Sequence, residues 1–395
     1  MNASDYLTEL LPQLTAAKLA YRGWRRAPRP FTLTFSVTNA CQSRCQTCRI
    51  WELYRQHPER RADELTLDEI ERVFASLGRV YFFNVSGGEP FLRDDLADIF
   101  ELALRHLTPR VLHSPTNALA PQRVEAATER VLRRMRELGH DAPLTIKPSL
   151  DGIGAQHDAI RGVPGNFERV LETLERLKRL RARYPNLHVE VGTVISRANM
   201  GDVEAIAAYA HTLGIESYRH EIAEQRAEFF NLGDPITPTP EEYAALTRAF
   251  ARQIRENVAG KRELAQLTES LRLVYYEYAA RILQEGRQVL PCYAGITNAH
   301  INPYGQVWPC CVLGYDQPMG ELREAGYDFM RVWHSPQADV VRAYIKAGNC
   351  ACPLANQAYS NILANPAAMA KAVGNLVQFK IGHRRDAENA ESKRG

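Results

Sequence analysis

From Phe31 onward the chain alternates short apolar or β-branched runs with longer stretches whose apolar residues recur three and four positions apart. The first pattern fits buried strands and the second amphipathic helices, so the alternation predicts repeated βα units around a parallel sheet. Six runs are strand candidates: Thr32 to Thr38, Arg79 to Val85, Arg110 to Ser114, Leu144 to Leu150, Leu187 to Ile195 and Ile215 to Glu221. Between them, Leu67, Ile70, Val73, Phe74 and Leu77 share one helical face, and Thr66 with Glu69 has the spacing of a capping box. Phe167, Val170, Leu171, Leu174, Leu177 and Leu180 repeat the helical pattern. Six units in order predict an α/β fold, a partial (βα)6 TIM-like barrel, with its chemistry on the loops at the C-terminal ends of the strands.

The pattern also divides the chain. Residues 1–30 carry Leu7, Leu10, Leu11, Leu14, Leu19 and Trp24 near helical spacing, followed by Arg22, Arg25 and Arg26. This amphipathic segment reads as a helix packed on the main domain, with peripheral membrane contact as the other reading; Pro12 interrupts its pattern. The barrel is expected over 31–235, up to the Pro-rich boundary Asp234 to Pro240. A helical connector follows over 236–289, with helices near Glu241 to Asn257 and Leu264 to Glu285. A small cysteine-rich domain is expected over 290–355, then a loose polar tail over 356–395.

Composition narrows the function classes. With 45% apolar and 24% charged residues and a net charge of +3, the chain has neither a disordered composition nor the field of a nucleic-acid binder. It has no run long and apolar enough for a membrane helix and no signal-peptide pattern, which predicts a cytoplasmic protein. Its eight cysteines are then expected as thiols, redox groups or metal ligands, not as a disulfide framework.

Three of them, Cys41, Cys45 and Cys48, follow the first strand directly, at the mouth of the expected barrel. A chance C-x3-C-x2-C match in a chain of this composition has a probability of about 0.003. Three such thiolates can hold three irons of a 4Fe-4S cluster and leave the fourth free. A zinc site would want a fourth donor, and His57 stands at no usual spacing for one. The stretch FSVTNACQSRCQTCRIW resembles the signature loop of the radical S-adenosylmethionine (SAM) superfamily, with Thr47 where an aromatic residue is common. The resemblance implies that the free iron chelates SAM, that the reduced cluster cleaves it to methionine and a 5'-deoxyadenosyl radical, and that this radical takes a hydrogen atom from substrate. It also implies a reducing flavodoxin or ferredoxin as electron donor.

Further motifs stand at the other strand ends. The second strand runs into Ser86-Gly87-Gly88-Glu89-Pro90, where the glycines permit close backbone approach and Glu89 offers an acceptor. Gly87, Gly88 and Glu89 resemble the family's GGE motif, which binds the methionine ammonium of SAM. The run KPSLDGIGAQHDAIRGVPGNFERV, in which Asp151-Gly152 alone is turn chemistry, resembles a segment of the subgroup that includes peptide-maturing radical SAM enzymes. That likeness carries ribose and carboxylate contacts with SAM to Ser149 and Arg161, the latter through a planar fork suited to a carboxylate. Asn117 and Thr193 are SAM-pocket candidates, with core or capping roles as the alternative. Tyr218, Arg219, His220 and Glu221 on the sixth strand, with Tyr304 and Trp308, are candidates to face substrate.

The remaining cysteines lie in PCYAGITNAHINPYGQVWPCC and near Cys350 and Cys352. This pattern resembles the auxiliary-cluster module called SPASM, or its shorter form, twitch. The likeness implies one auxiliary 4Fe-4S cluster on Cys292, Cys310, Cys350 and Cys352, with Cys311 spare and the choice between Cys310 and Cys311 open; structural zinc is the alternative. The expected activity is an oxidation or radical cross-link on an unidentified small molecule, lipid or peptide. The competing reading is a non-catalytic iron-sulfur or zinc scaffold.

Overall fold

The protein is represented by a computed structural model, which describes residues 6–258 and 263–392. The chain forms two compact units. One comprises residues 29–238 and 294–343, the other residues up to Pro28, 239–293 and from Tyr344 on.

The first unit is the barrel. Its strands are β1 (Thr32–Ser36), β2 (Phe82–Ser86), β3 (Val111–Thr116), β4 (Leu144–Pro148), β5 (Leu187–Ile195) and β6 (Ser217–Ile222), all joined in parallel in that order. The sheet continues past β1 with β7 (Asn298–Ile301), parallel to it, then antiparallel β8 (Gln306–Trp308) and β9 (Gly320–Glu321). The cysteine-bearing C-terminal segment thus supplies three strands to the barrel's own sheet. Alternation along each strand sorts the two faces. On the outer face an edge-on aromatic ladder, Phe35 to Phe74 to Phe83 to Phe100 with centroid separations of 5.7, 5.5 and 5.9 Å, locks β1 and β2 to the helices Leu67–Leu77 and Leu96–His106. The inner face is polar: Asn84 bonds Thr34 and His113 (3.4 and 2.5 Å), and Arg219 pairs with Glu190 at 2.8 Å.

The helix Leu67–Leu77 starts with the expected capping box, Glu69 N donating to Thr66 Oγ1 and Thr66 N to Glu69 Oε2. The same Glu69 carboxylate receives Arg323 Nε at 2.8 Å, Arg323 Nη2 at 3.0 Å and the Tyr327 hydroxyl at 2.6 Å, clasping this helix to the segment after β9.

The second unit is helical. The helix Leu11–Tyr21 buries Leu10, Leu14 and Ala17 and lies beside Ala355–Ala364. Pro12 sits in its first turn, directly after the π-helical turn Tyr6–Leu10, so the regular α-helix begins only there, in keeping with the interrupted pattern. Leu7 lies outside the residues whose side chains are described. The connector helices Pro240–Asn257 and Glu263–Glu285 pack on each other, and Glu263–Glu285 also packs on Pro366–Ser392. The polar tail expected over 356–395 is therefore corrected. Through Ser392 it is two helices, whose apolar positions Ile362, Ala368, Ala372 and Phe379 are buried, while residues 393–395 lie outside the described residues. Charge along this stretch masked a sparse helical stripe built mostly of alanine.

Candidate active site

The strand ends of the barrel unit enclose a cavity of about 210 Å³. Cys41, Cys45 and Cys48 from the loop after β1 line it, as do Gly87, Gly88 and Glu89 after β2, Asn117 after β3, Ser149 after β4 and Arg161 from the helix Ala155–Arg161. Thr193 does not. Strand alternation turns Val194 into the cavity, and the Thr193 hydroxyl donates to Leu150 O at 2.5 Å, in the core role that was its alternative. Thr47 lines the cavity, and its carbonyl accepts from Asn231 Nδ2 at 2.8 Å.

The cysteine loop is held by backbone contacts that only glycine permits. Gly88 N donates to Thr38 O and Glu89 N to Ala40 O, both at 2.8 Å. A Cβ on Gly88 would fall 2.3 Å from Ala40 O. On its other side the loop takes Arg161 O and Ile160 O as acceptors for Arg44 N and Gln46 N (3.0 and 2.9 Å). Gly162, at φ +67°, leaves room there for Arg44 O, 2.2 Å from where a Cβ would stand.

Glu89 is buried. Its Oε1 accepts from the Thr116 hydroxyl (2.9 Å) and Phe91 N (3.2 Å), and its Oε2 from Asn117 N (2.6 Å). Burial still pushes its carboxyl up to about 7, against these donors and the nearby Arg161 charge. A cation arriving at the free lone pair of Oε2 would favour the ionised form.

Arg161, about one-tenth exposed, sets its Nε 2.8 Å from Oδ2 of the buried Asp151 and its Nη1 3.5 Å from Cys45 Sγ. Asp151 N donates to His157 Nδ1 (3.1 Å), which leaves the ring proton on Nε2, facing Asn166 Oδ1 at 3.2 Å. Asn166 Nδ2 donates in turn to Asn117 O at 3.1 Å, and Asn117 Nδ2 lies 3.6 Å from Cys41 Sγ. One chain of polar contacts therefore runs from the Cys45 side of the loop to the Cys41 side. Burial holds His157 down at about 4, so the imidazole stays neutral in this role.

The thiols fit a cluster. Burial, with the charges of Cys45 and Glu89, pushes Cys41 up to about 12, and burial raises Cys48 as well, so their thiolates need metal charge beside them. Among the described residues no three His, Cys, Asp or Glu side chains converge as a single ion requires. The N–H groups of Asn117 and Arg161 directed at sulfur are the donors such a cluster takes.

Of the six substrate-facing candidates, Glu221 lines the cavity and the other five do not. Arg219 pairs with Glu190, Tyr218 and His220 are buried, Trp308 is buried against His300 and Tyr315, and Tyr304 bonds Tyr54 and Asn39. Sequence reasoning stopped at Glu221 and missed Glu224, Arg226 and Phe229, which continue the lining just past β6. The strand-end rule already used for the other five strands would have found them. Cys292, Cys350 and Cys352 belong to the helical unit, and Cys310 and Cys311 to the barrel unit. Cys311 Sγ accepts from Arg226 Nη1 at 3.3 Å.

The family model for the radical SAM superfamily matches residues 35–210, and that for SPASM, an iron-sulfur cluster-binding domain, matches residues 292–353. An AdoMet-dependent heme synthase of Oleidesulfovibrio alaskensis is 26% identical over 321 residues, 77% of this chain and 74% of that protein. A mycofactocin maturase of Mycolicibacterium smegmatis is 26% identical over 327 residues, 82% of this chain and 75% of the relative. The crystal structure of Streptococcus suis SuiB bound to S-adenosylmethionine superposes with a TM-score of 0.57 at 14% identity, over 87% of this chain and 74% of SuiB, a likeness of fold. Among the described residues no helix is long and apolar enough to cross a membrane.

Proposed function

We infer, from a chain that belongs to the radical SAM superfamily and carries a SPASM domain C-terminal to its barrel, that it cleaves SAM reductively in this cavity and oxidises or cross-links a substrate there. The observation that carries this reading is the meeting of three cysteines, the Gly87 to Glu89 turn, Asn117, Ser149 and Arg161 around one cavity, each from a different strand end or the helix after it. A 4Fe-4S cluster held by Cys41, Cys45 and Cys48, when bound and reduced, supplies the electron that splits SAM into methionine and the radical that takes a substrate hydrogen.

The chain's own groups then bind and orient. We assign the SAM ammonium to Glu89, its carboxylate to Arg161, which is ion-paired with Asp151 and has Nη1 directed at Cys45, and its ribose to Ser149. Asn117 serves the loop by its contact with Cys41. The auxiliary cluster of the SPASM domain is assigned, on cysteine spacing, to Cys292, Cys310, Cys350 and Cys352. The engagement of Cys311 with Arg226 favours leaving it out of that set.

Enzymes of this family need a reductant, for which we propose a flavodoxin or ferredoxin, and a reducing cytoplasm suits both clusters. The burial of Leu10, Leu14 and Ala17 supports a packed N-terminal helix over one lying on a membrane. Relatives named as an AdoMet-dependent heme synthase and a mycofactocin maturase set the range of substrates. The polar inner face of the barrel favours a polar molecule or peptide over a lipid.

Anaerobically reconstituted protein given dithionite and SAM is expected to release 5'-deoxyadenosine, detected by mass spectrometry. The triple variant Cys41→Ala, Cys45→Ala, Cys48→Ala is expected to release none. Iron and sulfide absent from the wild type, or equal release by the variant, would refute the reading.

A further inference from the structure

The part of the cavity formed just past β6 gathers three carboxyl groups. Glu221 and Glu224 line it, and Glu228 is buried next to it. Two cations answer these three carboxylates. Lys147 Nζ lies 3.6 Å from Glu221 Oε1. Arg226 gives both Nε (3.1 Å) and Nη2 (2.6 Å) to one oxygen of Glu224, Oε2, and its Nη1 to the Cys311 sulfur. His300 adds no positive charge, because burial and the Arg226 charge hold it down at about 3. Arg219 is spent on Glu190.

The consequence falls on Glu224. It lines the cavity, its side chain is about nine-tenths buried, and its Oε1 accepts no hydrogen bond from the described residues. Glu228 Oε2, equally buried, accepts none either. A buried carboxylate oxygen without a donor costs about 1–3 kcal/mol, and natural sites rarely retain one unless a ligand completes it. Burial raises the Glu224 carboxyl, against the Arg226 charge and hydrogen bond, with a smaller push from Glu221.

We propose that this end of the cavity is a cation subsite, which receives an amine or guanidine of the substrate against Glu224 and Glu221. A positively charged N–H donor would satisfy Oε1 and favour the ionised carboxylate, whereas an anionic group of the same shape would meet repulsion. The inference rests on the cavity being the radical SAM active site and specifies the chemistry of the substrate that enters it. Three of the arginine's donors go to Glu224 and Cys311, two of them to the Glu224 carboxylate whose charge it faces.

The test is equilibrium dialysis of the reconstituted, SAM-saturated holoenzyme against radiolabelled n-butylamine and, separately, radiolabelled butyrate. Retention of the amine is expected to exceed that of butyrate about tenfold, and Glu224→Gln to lower it by a similar factor. Glu221→Gln, at a more exposed position, is expected to lower it less, and its cluster absorbance reports that the fold and cluster are intact. Absence of amine retention, equal or stronger retention of butyrate, or amine retention unchanged in both variants would overturn the proposal. Release of 5'-deoxyadenosine by the same preparation is scored separately, so loss of the amine result with that release intact refutes the subsite alone.

Discussion

Replacing Gly88 by alanine tests whether the cysteine loop is positioned by its contact with the turn after β2. The residue has an ordinary backbone angle, so the substitution adds volume without forcing φ. The new Cβ would lie 2.3 Å from Ala40 O, 2.8 Å from Ala40 C and 2.9 Å from Asn39 O, all rigid backbone atoms, where real contacts do not fall under 3.0 Å. The loop must therefore retreat by about 0.7 Å at Ala40, next to the first cysteine. That movement stretches the two 2.8 Å bonds from Gly88 N and Glu89 N. Overpacking costs about 1–3 kcal/mol and each lost bond about 1 kcal/mol, so the expected loss is about 3 kcal/mol. For a unit of this size that lowers Tm by about 6–10 °C. The assay is thermal unfolding by circular dichroism, followed by iron and sulfide analysis after anaerobic reconstitution. Gly88→Ala is expected to melt early and to load less iron at the first cluster. Gly201→Ala, where no atom lies within 4 Å of the new Cβ, is the control and should do neither. A Gly88→Ala protein that melts and loads as the wild type does would refute the argument that this contact sets the loop.

Arg161→Met leaves the Asp151 carboxylate buried without its cation, which should cost about 3–5 kcal/mol in guanidinium unfolding. The double variant with Asp151→Asn should recover part of that loss, and an equal or larger loss would count against the pair. Glu69, held down at about 2 chiefly by Arg323 and also by Tyr327, has a folded value below its ordinary 4.5. Its stabilisation is therefore complete above that ordinary value and fades as pH falls from about 4.5 through about 2; Glu69→Gln should flatten the acid limb of a urea stability profile. Cys310→Ala should remove the iron of one cluster by metal analysis while Cys311→Ala retains it, and the reverse result would exchange their assignments.

The six barrel strands were legible because each joins a β-branched or apolar core to a helix of clear period, and β5 matches its expected limits, Leu187 to Ile195, at both ends. The limits and pairing of β7 to β9 were not, since they are two to four residues long and the pairing of β7 with β1 is nonlocal. The cysteine triad and the Gly87 to Glu89 turn were legible because their chemistry is concentrated in adjacent residues. Asp151 read only as turn chemistry, because its partner Arg161 meets it through a helical detour. Thr193 and Val194 show a different limit. A strand's register decides which neighbour faces the cavity, and a displacement of one residue exchanges them.

The pairing of β1 with β7 has a bearing on how this protein folds. The strand that leads into the first cysteine loop is bordered on one side by residues 82–86 and on the other by residues 298–301. Until residues 298–301 join it, that strand has one flank bare, so the edge beside the first cysteine loop closes by a nonlocal pairing, the slow kind in folding.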